Sequence, residues 1–111
     1  TGNTKIKAFA AVNYAGTVIE KKAENSYSHT DTDHYINYKI TFKMNSGGCN
    51  IRNPRFMRGS RVVSELPKDQ QDKNGREFTL RLSGSEKPDL VFDCQGQGWF
   101  DADCDIIVTK E

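Results

Sequence analysis

Residues 35–44 (YINYKITFKM) alternate without a fault, with Ile36, Tyr38, Ile40, Phe42 and Met44 on one side and Tyr35, Asn37, Lys39, Thr41 and Lys43 on the other. A period of two is that of a strand with one face on a core and one in water. Residues 77–83 (EFTLRLS) repeat the pattern, Phe78, Leu80 and Leu82 inward and Thr79 and Arg81 outward. Residues 4–13 (TKIKAFAAVN) set Ile6, Ala8, Ala10 and Val12 on one side while Phe9 breaks the other, which predicts a first strand partly covered on both faces. Its alanines leave a helix as the competing reading. Thr17-Val18-Ile19 reads as a short strand or the continuation of a hairpin. Cys49-Asn50-Ile51 can return beside residues 35–44 after the turn Asn45-Ser46-Gly47-Gly48, and Val62-Val63 can begin a strand that Pro67 ends.

Between these runs lie the breakers. Residues 20–34 (EKKAENSYSHTDTDH) hold no period and read as a surface loop. Pro54 denies residues 52–61 a regular inner strand. Residues 67–76 (PKDQQDKNGR) form a charged loop with Asn74-Gly75 as its turn, and 84–89 form another turn containing Pro88. Six to eight short strands and no long amphipathic helix predict a single all-β domain over residues 1–111, an antiparallel β-barrel or β-sandwich.

The two last apolar runs, 90–92 and 106–108, flank a connector rich in Gly, aromatic and acidic residues, with Cys94 and Cys104 at its inner ends and Trp99-Phe100 between them. The economical reading is two strands joined by a loop whose neck a Cys94–Cys104 disulfide closes, stabilising the fold by ~2–3 kcal/mol. Three reduced thiols are the competing reading. Cys49, the odd cysteine, can pair with either partner or join two chains in a dimer.

Composition changes the picture in two ways. Hydrophobic residues are only 35% of the chain, so six Phe, four Tyr and one Trp must supply much of the buried area. The net charge of +1 argues against a generic nucleic-acid or membrane binder, yet it hides a net of +6 over residues 1–61 and of −5 over residues 62–111. Packed together, the halves can neutralise each other; segregated, they leave a basic face. No apolar run approaches the roughly 18–20 residues that span a bilayer. The start at Thr1 fits a processed secreted protein or a trimmed chain, and the sequence contains no Asn-x-Ser/Thr sequon.

Candidate chemistry is thin. Arg52, Arg55, Arg58 and Arg61 recur every third residue with Phe56 among them and no acid in the run. They form either a stripe for phosphate, sulfate or carboxylate groups or an internal partner for the acidic half. Trp99 and Phe100 offer an aromatic platform for sugar or a protein, or cover one end of the core. Asp101-x-Asp103-x-Asp105 opens like an EF-hand loop but lacks its glycine and its twelfth position, so no metal is assigned. His29 and His34 flank Asp31 and Asp33 on the polar loop and read as solvated. Glu77, Arg81 and His34 could converge as in a small ribonuclease, though their spacing does not demand it. No motif of a hydrolase, phosphate loop or zinc site is present, and no catalytic residue or cofactor is assigned.

Residues 5–14, 35–49 and Phe92-Asp93-Cys94-Gln95-Gly96 resemble, in order, three features of the Alt a 1-like allergen and elicitor family of small secreted fungal proteins. Those features are an opening strand, a Tyr-bearing strand leading through a Gly-containing turn to a cysteine, and a Phe–x–Cys–Gln strand running into a terminal one. The chain departs from the family in having three cysteines where two intrachain pairs are usual, and no family residue is carried over. The resemblance implies a secreted, extracellular β-barrel without catalytic machinery. Its expected role is that of a fungal effector or elicitor, a virulence protein contacting a host protein or cell-surface glycan and triggering plant defence. A carbohydrate-binding module using Trp99, Phe100 and the arginines is the first alternative, and a ribonuclease-like hydrolase the second.

Overall fold

The computed structural model describes residues 3–12, 18–23, 35–46, 49–83, 87–96 and 101–110. Within them, eight strands form two antiparallel sheets of four. The first holds β1 (Asn3–Val12), β8 (Asp101–Lys110), β3 (Ile36–Ser46) and β6 (Glu77–Leu82) in that order; the second holds β2 (Val18–Lys22), β7 (Asp89–Gly96), β4 (Cys49–Arg58) and β5 (Arg61–Glu65). One helical turn, α1 (Lys68–Gln71), follows Pro67 in the stretch that reads from sequence as a plain loop.

The ladders pair β1 with β8, β2 with β7, β3 with β6 and β4 with β5. The chain is therefore one long antiparallel strip doubled on itself, and β3–β8 and β4–β7 pairings knit the strip into sheets. This is the strand order of a jelly roll. The all-β prediction holds, and the first segment is a strand rather than a helix.

Three local expectations are corrected by the topology. β7 and β8 are not a hairpin: they lie in different sheets, as do β3 and β4, because all four are interior strands already paired on both sides. β2 runs on through Glu20, Lys21 and Lys22, which read from sequence as loop. β4 is an interior strand despite Pro54. The ladder to β7 slips between Arg52 and Arg55, and Asn53 takes a left-handed φ of 47° there. A bulge frees one residue from the ladder, which is where an interior strand tolerates a proline.

The core lies between the sheets. Ile40, Ile51, Phe56, Leu90, Ile106 and Val108 are fully buried. Phe42 of the first sheet meets Phe92 of the second edge-on at 4.9 Å, and Tyr38 meets Phe56 across the same gap at 6.4 Å. At one side the edges of β5 and β6 meet through Ser64, whose hydroxyl donates to the Arg81 carbonyl at 2.7 Å. Asn74 fixes the loop after α1: its side-chain oxygen accepts from Ile51 N–H at 2.9 Å, and Gly75 N–H donates to Ile51 O. No helix is long and apolar enough to cross a membrane among the described residues.

The bulge carries the first prediction. Asn53 holds its left-handed backbone with a buried side-chain oxygen that has no partner among the described residues. Asn53→Gly removes both costs and is expected to raise the unfolding free energy by about 0.5–1 kcal/mol. Asn53→Val should lower it, and a urea midpoint moving the other way in either variant would contradict this account of the bulge.

Candidate binding surface

The four arginines of the stripe divide into two pairs. In an unbroken strand, residues three apart point to opposite faces. The bulge absorbs one residue, so Arg52 aligns with Asp93 and Arg55 with Val91, two positions apart on β7, and both turn to the outer face of the second sheet. There Arg55 is almost wholly covered, at 9% side-chain exposure, and its guanidinium makes three hydrogen bonds. Nη2 donates to Glu20 Oε2 at 2.7 Å, while Nη1 donates to Asp93 Oδ1 at 3.2 Å and to the Asn53 carbonyl at 2.9 Å. Arg52 packs beside it, its Nε buried without a hydrogen-bond partner among the described residues. For Arg55, internal pairing is the reading the fold supports.

Arg58 and Arg61 are different. They face each other across the two-residue turn Gly59-Ser60, where Gly59 adopts a φ of 62°. Both are exposed, and Val62 beside them is 40% exposed. Like charges set directly opposite on a ladder repel. The hairpin tip thus presents two guanidiniums to the outside beside an apolar side chain.

The other candidates do not assemble into a site within the described residues. Trp99, Phe100, His29 and His34 lie outside them. Glu77 and Arg81 share one face of β6 but stand four residues apart, about 13 Å along a strand. Glu77 is paired with Lys39 at 3.3 Å, and Arg81 stacks 4.3 Å from the Tyr35 ring centre. Asp105 aligns with Lys7 and Lys43 on its two neighbours. Among the described residues no group of three or more His, Cys, Asp or Glu is placed to hold a metal ion. A cleft of about 270 Å³ opens between α1 and β6, with Leu66 and Phe78 beneath and Gln70, Lys73 and Glu77 around it.

The Cys94–Cys104 disulfide is corrected: Cys49, Cys94 and Cys104 are all buried thiols with no sulfur pair at bonding distance. Cys94 and Cys104 belong to β7 and β8, which lie in different sheets, whereas Cys49 stands on β4, the strand adjacent to β7. The side chains of Cys49 and Cys94 hydrogen-bond, which draws the Cys49 thiol below its ordinary value against the opposing effect of burial; Arg76 and Lys21 lower it further.

What sequence reasoning missed was the pair of acids around Arg55. From sequence Asp93 reads as a candidate carboxylate of a loose calcium site with Asp101, Asp103 and Asp105, and Glu20 falls in what reads as loop. Comparisons with protein-family models, with curated proteins and with solved structures give no match.

Proposed function

We propose that the protein is a non-enzymatic binding protein that engages acidic groups on its partner through Arg58 and Arg61 at the β4–β5 tip. The observation that carries this reading is the division of the arginine stripe. Arg55 is buried against Glu20 and Asp93, while Arg58 and Arg61 stand exposed on either side of the Gly59-Ser60 turn. The planar fork of a guanidinium loses little freedom per hydrogen bond when it engages a carboxylate or sulfate. Val62 adds an apolar contact beside them.

With the resemblance noted above, the partner class is a host protein or an acidic cell-surface glycan, and the role is that of a secreted effector or elicitor that triggers plant defence. The frame we propose for it is the sandwich, since β5 and β6 share no ladder among the described residues and Ser64 bridges them through its hydroxyl. A neutral-sugar module resting on Trp99 and Phe100 predicts a different result in the same assay.

The test is retention on immobilised polygalacturonate, an acidic plant-wall glycan, against cellulose as neutral control. The wild-type protein should bind the acidic polymer in a salt-sensitive manner. Arg58→Ala with Arg61→Ala should weaken that binding about 10-fold or more, as two charge-assisted contacts imply, and should lose the response of infiltrated leaf tissue. Unchanged binding by the double variant would sink the assignment. So would equal retention on cellulose, which would favour the aromatic platform.

A further inference from the structure

We propose that Cys49 and Cys94 form an oxidisable dithiol inside the second sheet, which peroxide converts into a cross-strand disulfide while Cys104 stays a thiol. The placement comes from the β4–β7 register, where Cys49 aligns with Gly96 and Cys94 with Ile51. The cysteines therefore stand diagonally, two positions offset on the same inward face. The residue directly opposite Cys49 is a glycine, so no side chain stands there to hold the sulfurs apart. The two thiols are already in hydrogen-bond contact. Cys104 stands on β8 opposite Ala8 and Met44, in the other sheet.

The first step falls on Cys49, whose thiolate Arg76 and Lys21 favour. Cys94 is held protonated by its hydrogen bond to Cys49 and by burial, against the opposing pull of Lys21. The Cys49 sulfur attacks one peroxide oxygen, the O–O bond breaks, and water leaves with the thiol proton, giving a sulfenic acid at Cys49. The Cys94 sulfur then attacks the Cys49 sulfur, the S–O bond breaks, and the departing hydroxide takes the Cys94 proton as a second water. The two thiols lose two electrons and the peroxide gains them.

The offset also makes the bridge reversible. Diagonal neighbours on a ladder lie about 7–8 Å apart, past the separation at which disulfides are relaxed. Closing the bond pulls β4 and β7 together, and a strained disulfide is readily reduced. The dithiol is thus the resting form and the bridge a modification that dithiothreitol reverses.

The experiment is disulfide mapping of the intact protein after stoichiometric hydrogen peroxide. Remaining thiols are alkylated, and the chain is cut with trypsin and with chymotrypsin, which separates Cys94 from Cys104 at Trp99-Phe100. The expected product is a cross-link between the Cys49 and Cys94 peptides with Cys104 alkylated, retained in Cys104→Ser and reversed by dithiothreitol. Cys49→Ser, checked for folding by circular dichroism, should give no intrachain bridge. A Cys94–Cys104 cross-link in the wild-type protein, or three alkylated cysteines after peroxide, would overturn the proposal.

Discussion

Replacing Phe42 by alanine should lower the unfolding free energy by about 3–5 kcal/mol, the usual cost of deleting a buried phenylalanine. Phe42 is 2% exposed, meets Phe92 of the opposite sheet at 4.9 Å, and touches Phe78 of its own sheet edge-on at 5.9 Å. Its loss removes an aromatic contact between the sheets and leaves a cavity that two rigid sheets cannot collapse to fill. Set against a total stability of about 5–15 kcal/mol for a domain, the variant should be partly unfolded at modest urea concentrations. Val62→Ala, at a site that is 40% exposed, should shift the midpoint by less than about 0.5 kcal/mol. If the two variants unfold alike, the sheets are not held together by this cluster.

Arg55→Ala should be the costliest charge substitution, by about 2–3 kcal/mol. The guanidinium is 9% exposed while Asp93 retains 32% and Glu20 66%. Truncation leaves Asp93 half-covered with its cation gone, a loss short of that for a fully buried pair because water can reach the acid. Arg55→Met keeps the aliphatic packing and should recover part of the loss. In a double-mutant cycle, Asp93→Ala should couple to Arg55→Ala by about 1–2 kcal/mol. Glu20→Ala should couple more weakly, because Glu20 is the more exposed acid. Measured coupling near zero for both acids would mean that Arg55 is buried for packing alone.

How far the sequence could be read depends on the distance over which each signal acts. Strands β3 and β6 were legible residue by residue, because one covered face imposes a period of two on their own side chains. Their partners were not. Hairpin logic joins neighbours, β3 to β4 and β7 to β8, whereas among the ladders of the described residues only β4–β5 joins strands consecutive in the chain. The Cys94–Cys104 disulfide fails for the same reason, since ten residues of sequence separation are compatible with one hairpin or with strands of two different sheets. The stripe at 52–61 was seen, but its meaning turned on a bulge. Pro54 looked like an obstacle to a strand, and instead marks the place where the ladder skips a residue and turns Arg52 and Arg55 to one face. Nothing in local composition paired Arg55 with Glu20, 35 residues away.

The pairing of β1 with β8 has a kinetic consequence. Among the described residues, residues 3–12 find their ladder partner only in residues 101–110, so during synthesis this ladder cannot form until residues 101–110 have emerged. Folds dominated by such distant contacts order slowly, because the loop must be closed before its contacts reward it. The β4–β5 arm, closed by a two-residue turn, needs no such wait. Its contacts are local, so the same short hairpin that presents Arg58 and Arg61 closes at a smaller cost in chain entropy than the β1–β8 ladder.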